Sequence, residues 1–290
     1  MIELFHVSDL HFNKKKGVKE FLAQIKAKFK IEPGENKYIL VTGDITDDGK
    51  KKQYGLASAA LMPFAGYVRA VPGNHDYGNM GFIYHEERAK YFDDVFLKEL
   101  KIKHKYFSKA PYCELLDDKN GSKVLLIGLN SCTQTEDPLD IAVGEIGEKQ
   151  LLELEKTLNK PEYAGIPKIV FLHHIPHRRA KGIGMSLRDY KKLMAIVTGK
   201  VEALAFGHQG NMEEVAAQDI KKLPEKAKDK LISVKKMSIP GSEMKLRSGK
   251  AHDIRYYLDA NSSVQDKSCY HIVVDKNVVS AGIAKLDIKI

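Results

Sequence analysis

Asp9-Leu10-His11, Gly43-Asp44, Gly73-Asn74-His75-Asp76, His173-His174-Ile175-Pro176 and Gly207-His208 are the segments of this chain equipped to do chemistry. Nearly every one begins where a hydrophobic run stops, so carboxylates, imidazoles and one amide arrive at a single sheet edge. Mixed nitrogen and oxygen donors of this kind suit Mn, Fe, Zn, Co or Ni better than an ion that prefers oxygen alone. Several such clusters in sequence point to a two-metal centre, and two-metal centres typically stabilise in-line displacement at phosphorus. Asp9 and His11 are two apart, a spacing that puts both side chains on one side of an extended segment. Gly43 lets the backbone approach closely before Asp44, whose two carboxylate oxygens suit it to bridging. Asn74 offers a neutral amide oxygen. A Ser or Cys nucleophile has no support, since there is no G-x-S-x-G and no Cys beside a motif His; the G-x-x-x-x-G-K and G-x-G-x-x-G patterns are also absent.

In order and spacing these segments resemble the metallophosphoesterase superfamily, the calcineurin-like phosphoesterases, whose pattern runs D-x-H, G-D, G-N-H-D/E, H and G-H-x-H. Four of the five elements are complete. In the fifth, Gly210 stands where the family has its last His. The likeness covers roughly Ile2 to Ser242. The flanks Val7 to Phe12, Leu40 to Thr46 and Pro240-Gly241-Ser242 are most similar to the class III cyclic-nucleotide and glycerophosphodiester phosphodiesterase branch.

The resemblance implies an αββα sandwich of two mixed β-sheets flanked by helices, and two divalent transition-metal ions, Mn or Fe favoured. Asp9, His11 and Asp44 would hold the first ion; Asp44 as bridge, Asn74, His174 and His208 the second. The family's ligand is commonly followed by any residue and then Pro, which selects His174; His173 is the alternative, because adjacent strand residues point to opposite sides. Without the His at 210 the first ion is weakly held or partly occupied, unless Gln209 or Asn211 fills in. His75 is the general acid for the leaving oxygen, and Asp76 is expected to hold the His75 ring. Asp47 and Asp48 read as loop and helix-cap residues. His177, Arg178, Arg179 and Lys181 read equally well as a phosphate grip or a solvated basic loop. The implied substrate is a phosphodiester small molecule, a cyclic nucleotide first and a glycerophosphodiester next. The alternatives are a nuclease or phosphomonoesterase of the same fold, or a nucleotide- or metal-binding module with weak catalysis.

The elements that must position these groups alternate along the chain. Strand-like runs fall at Ile2 to Val7, Tyr38 to Thr42, Tyr67 to Val71, Val124 to Leu129, Lys168 to Leu172 and Val201 to Phe206. Helix-like stretches lie between them at Val18 to Lys30, Lys51 to Leu61, Glu86 to Leu100, Glu148 to Leu158 and Ser186 to Val197. Ala89, Phe92, Phe96 and Leu100 form one apolar face in the third. After Gly210 a Lys-rich stretch, Asn211 to Lys230, reads as a flap or a loop. Leu231 to Val234, Ile254 to Leu258, Tyr270 to Val274 and Val278 to Ala284 are expected to build a C-terminal β-layer, with 1–290 as a single domain.

At 290 residues and 43% hydrophobic, the chain has ample material for one large core. The 47 basic against 38 acidic residues give +9, a surface that attracts phosphate-bearing ligands. No run is dense enough for a dedicated nucleic-acid patch. Cys113, Cys132 and Cys269 are too sparse for a disulfide framework. No signal-peptide layout and no apolar run of about 18 residues occur, so a cytoplasmic protein with no membrane contact is expected.

Overall fold

Hydrophobic runs become strands β1 (Ile2–Val7), β2 (Lys37–Thr42), β3 (Val68–Val71), β4 (Gly78–Asn79), β5 (Ile83–Tyr84), β6 (Tyr112–Asp117), β7 (Lys123–Gly128), β8 (Lys168–Phe171), β9 (Ala203–Phe206), β10 (Tyr256–Asp259), β11 (Ser268–Asp275) and β12 (Val278–Lys285). The helices are α1 (Val18–Phe29), α2 (Lys51–Leu61), α3 (Asn74–Tyr77), α4 (Glu86–Tyr91), α5 (Glu148–Leu158), α6 (Tyr190–Val197) and α7 (Ser263–Asp266). The computed structural model describes residues 1–12, 15–32, 34–79, 83–102, 104–106, 111–133, 143–176, 187–208, 254–260 and 263–288. Gln209, Gly210, the stretch Asn211 to Lys230, Leu231 to Val234, Pro240-Gly241-Ser242, the basic residues His177, Arg178, Arg179 and Lys181, and His252 lie outside the described residues.

Two five-stranded sheets carry the fold, in the orders β12-β11-β1-β2-β3 and β10-β9-β8-β7-β6. In the first, β1, β2 and β3 are parallel, and β11 pairs antiparallel with β1. In the second, β7 to β10 are parallel, with β6 antiparallel on the edge. Both sheets are therefore mixed, and helices flank them as expected for the αββα sandwich. The expected C-terminal β-layer is corrected, however. The strands after His208 divide between the sheets: β10 extends the second beside β9, whereas β11 and β12 complete the first beside β1.

Period-two alternation in the second sheet separates two cores. Leu126, Ile169, Phe171, Ala203 and Ala205 pack between the sheets. Leu125, Ile127, Val170, Leu172, Leu204 and Phe206 face outward, where Leu151, Leu154 and Leu158 of α5 and Leu193 and Val197 of α6 cover them. On the outer side of the first sheet, Phe29 of α1 lies against Phe5, with ring centroids 4.3 Å apart. The one-faced helix at Glu86 holds: Ala89, Phe92, Phe96 and Leu100 are all buried, and α4 continues through a π-helical turn at Phe92–Leu97. Among the described residues no helix is long and apolar enough to cross a membrane. The parallel strands β1, β2, β3, β7, β8 and β9 all end on the same rim, the usual place for ligands in such sheets.

Candidate metal centre

The loops leaving β1 and β2 stay zipped beyond the strands. The backbone N–H of Asp9 donates to Gly43 O at 3.1 Å, that of His11 to Asp44 O at 2.9 Å, and that of Phe12 to Ile45 O at 2.8 Å. To turn the side chains toward one another, Asp9, His11, Asp44 and His208 all take positive φ values, 55°, 44°, 49° and 76°. Non-glycine residues rarely adopt this region, and it costs roughly 1–2 kcal/mol each time. Gly43 also has φ +86°, and a Cβ there would meet His173 Nδ1 at 2.5 Å and Gly73 Cα at 2.8 Å. The glycine is what lets β2 end against both His173 and the Gly73 loop.

Asp44 sits at the centre. Its Oδ2 lies 3.7 Å from His11 Nε2, which is itself 4.0 Å from Asp9 Oδ1. Its Oδ1 lies 3.4 Å from His173 Nε2, which is 3.0 Å from Asn74 Oδ1 and 3.0 Å from His208 Nδ1. The two oxygens of one carboxylate thus face two separate donor sets. Ligand atoms of Asp44, His173 and His208 lie within 4.8 Å of one another, as do those of His11, Asp44 and His75. Asp9 joins the two halves by accepting the His208 backbone N–H at Oδ2, 3.2 Å. All these side chains are buried except His11 and His75, which are partly exposed at the mouth.

His173, not His174, takes the position beside Asp44, which corrects the expectation from the Ile175-Pro176 pattern. The reason is strand parity. Ile169 and Phe171 point between the sheets, and the ladder continues past β8 through Leu172 N–H to Ala205 O and Gly207 N–H to His173 O, both 3.0 Å. Residue 173 therefore points inward, where its Nδ1–H donates to Thr42 O at 2.7 Å and leaves Nε2 facing the site. His174 points the other way, sharing a 2.8 Å hydrogen bond with Ser131 Oγ through Nδ1 and packing on the His208 ring, with centroids 4.4 Å apart.

The expected grip of Asp76 on His75 is also corrected. Asp76 is buried and accepts from Thr46 N–H at 2.8 Å, Thr46 O–H at 2.9 Å, Gly73 N–H at 2.9 Å and Ile45 N–H at 3.1 Å. It ties the loops after β2 and β3 together. The His75 ring instead donates its Nδ1–H to Asp47 O at 2.8 Å. The sequence marks Asp47 only as a loop residue and gives no sign of Ser131 or Thr42. Nothing in composition or spacing marks the carbonyls of Asp47 and Thr42 or the hydroxyl of Ser131, so only the loop geometry finds them.

The electrostatics test whether the donor set suits a cation. Burial, and then the neighbouring Asp44 charge, raise Asp9; the same two causes push Asp76 up to about 6. Burial alone would raise Asp44 too, but His173, His75 and His11 hold it well below the usual carboxylate range. Burial pulls His11 down to about 4. Burial works against a charged His173, yet Asp44, Asp9 and the Thr42 carbonyl push it up to about 9. A buried carboxylate cluster that draws a proton onto an adjacent imidazole is an anionic site short of positive charge, and divalent ions fit it.

Residues 2–212 match the family model described as calcineurin-like phosphoesterase. The chain belongs to the calcineurin-like phosphoesterases. Members of this family are metal-dependent phosphoester hydrolases, and the paired His and Asp groups described above are its candidate ion ligands. The chain is 29% identical over 181 residues to the probable glycerophosphodiester phosphodiesterase GpdQ of Arcobacter nitrofigilis, a match covering 59% of this chain and 55% of the relative. It thus spans about half the length of that relative. Among solved structures it is similar to the NAD nucleotidase NadN of Haemophilus influenzae, with a TM-score of 0.51 at 13% identity, covering 98% of this chain and 56% of the other. A dimetal phosphatase from Danio rerio gives a TM-score of 0.48 at 13% identity, covering 71% of this chain and 81% of the other. At such identity the NadN likeness supports the fold alone.

Proposed function

We propose that this calcineurin-like phosphoesterase hydrolyses a phosphodiester with two divalent transition-metal ions, Mn or Fe favoured, and with His75 as general acid. The observation that carries the reading is Asp44, whose two oxygens face different donor sets. Asp9, His11 and Asp44 would hold the first ion; Asp44, Asn74, His173 and His208 would hold the second. When bound, the ions supply a water acidified toward neutral pH and neutralise charge on the phosphoryl oxygens. The chain's own acid is His75. Its Nδ1–H is committed to the Asp47 carbonyl, so Nε2 is the atom that carries the proton to the departing oxygen. Asp76 contributes indirectly, by fixing the loops that present Asp44 and Asn74.

The flanking resemblance favoured a cyclic nucleotide, with a glycerophosphodiester second; the name of the Arcobacter relative supports the glycerophosphodiester. Both leave an alkoxide that needs a proton, the task assigned to His75. The proposal takes residues 1–290 as one domain in the cytoplasm, supported by the strands after 254 that complete both sheets and by three sparse cysteines.

The test is hydrolysis of bis(p-nitrophenyl) phosphate by chelator-stripped protein titrated with Mn²⁺. Metal-dependent turnover abolished by Asp44→Ala is the expected result; binding of nucleotide and metal without turnover would replace the enzyme with a binding module. His75→Ala should leave the metals bound, spare the aryl ester and slow an alkyl diester about 10²–10⁴-fold, the range of general acid catalysis. Full activity of that variant on the alkyl diester would remove His75 from the mechanism.

A further inference from the structure

Asp47 sits on the loop that leaves β2, between two imidazoles with different tasks. Its carbonyl oxygen takes the Nδ1–H of His75 at 2.8 Å, and its carboxylate Oδ1 lies 3.7 Å from Nδ1 of His11. The two rings meet edge to face, centroids 4.7 Å apart. His11 Nδ1 is buried and has no hydrogen-bond partner among the described residues, and Asp47 is the carboxylate set against it. An imidazole that ligates through Nε2 carries its proton on Nδ1, and an acceptor there fixes both tautomer and ring.

The loop around Asp47 is held from both sides. Thr46 donates its N–H and O–H to buried Asp76, and Gly49 N–H donates to Thr46 Oγ1 at 2.9 Å. Phe12 and Thr46 form a parallel bridge that ties this loop to the one carrying His11. Asp47 is thus fixed in place, with its carboxylate 3.7 Å from His11 Nδ1 and its side chain 21% exposed.

We infer that Asp47 is a positioning residue for both imidazoles, its carboxylate orienting His11 as an ion ligand and its carbonyl orienting His75 as proton donor. This rests on the roles proposed above for His11 and His75. The two links are chemically separable, because a side-chain substitution removes the carboxylate and leaves the carbonyl.

The experiment is calorimetric titration of Mn²⁺ into the chelator-stripped full chain as wild type, Asp47→Ala and Asp47→Asn, with His173→Ala marking which binding step belongs to the second ion. Asp47→Ala should weaken the step assigned to the first ion about 10–100-fold, the usual effect of losing an outer partner of a ligating His, and leave the step that His173→Ala removes unchanged. Asp47→Asn should recover most of the loss, because its amide oxygen accepts the same N–H. The ratio of aryl-ester to alkyl-ester rates should stay at the wild-type value in both variants, since the carbonyl still holds His75. Unchanged first-ion binding in Asp47→Ala, loss at both steps together with a lowered Tm, or a shifted ester ratio would each overturn the inference. If wild-type protein takes up no Mn²⁺, the functional reading falls and this inference falls with it. Two-step uptake with indifferent variants would sink the inference alone.

Discussion

The two halves of the candidate metal centre are built to different tolerances. Around the second-ion position, His173 Nε2, Asn74 Oδ1, His208 Nδ1 and Asp44 Oδ1 converge at 3.0–3.4 Å, all buried. Around the first, His11 Nε2 stands 3.7 Å from Asp44 and 4.0 Å from Asp9, and His11 is partly exposed. The tight half is braced by both sheets: Thr42 O at the end of β2 holds His173, and Ser131 beyond β7 holds the His174 ring that packs on His208. The loose half is braced by loop contacts, such as Lys15 Nζ donating to Asp9 O at 2.8 Å. Preorganisation, not donor count alone, should therefore rank the two affinities, the second ion binding more tightly.

The largest test of this ranking is His173→Ala. It should remove the second ion by more than the roughly 100-fold typical of losing an outer partner, while His174→Ala costs about tenfold or less. Equal losses from the two variants, read by metal titration, would erase the distinction between inward and outward imidazoles. Next comes Gly210→His, which restores the family's last His and should raise first-ion affinity by at least about tenfold, an added ligand outweighing an outer contact. Unchanged metal content and rate would detach residue 210 from the first ion.

A third test concerns the bracing beneath the tight half, read as stability. His6 is buried, shares a 2.8 Å hydrogen bond with the Thr42 hydroxyl, and is pushed by burial down to about 3 from an ordinary value of 6.5. The unfolded chain takes up that proton first as pH falls. The stability His6 supports is fully present above pH 6.5 and declines below it, by about 1.4 kcal/mol per pH unit until the folded group itself titrates near 3. Between pH 7 and pH 5 the denaturant-derived stability should fall more in the wild type than in His6→Asn, the difference between the two being the His6 contribution. Identical falls would show that His6 is not the group responsible.

Much of the scaffold was legible because each donor cluster terminates a hydrophobic run, and strand ends are where an α/β sheet presents ligands. Helices α2 and α5 have the bounds that their periodicity predicted. Three things were not legible, each for a physical reason. Residues 169–172, from β8 to just past its end, are apolar on both faces, so the alternation that separates His173 from His174 has no visible phase in sequence. Edge strand β6 is half-exposed, with Leu115 pointing to solvent, so its residues lack a clean apolar signal. The roles of Asp47 and Asp76 depend on which loop closes over which, and chain spacing does not encode that.

The pairing of β1 with β11 joins Ile2 to Val274 and His6 to Tyr270 across nearly the whole chain. A nascent chain released as far as His208 would already contain Asp9, His11, Asp44, Asn74, His173 and His208, yet β1 would still present an open edge beside β2. Completion of the sheet that carries Asp9 and Asp44 therefore waits for a strand that contributes no candidate ligand. Pairing over such a separation is slow because loop closure precedes any gain from contact, and unpaired edges are prone to aggregate meanwhile. Damage near Tyr270 should thus appear as poor folding yield rather than as altered chemistry.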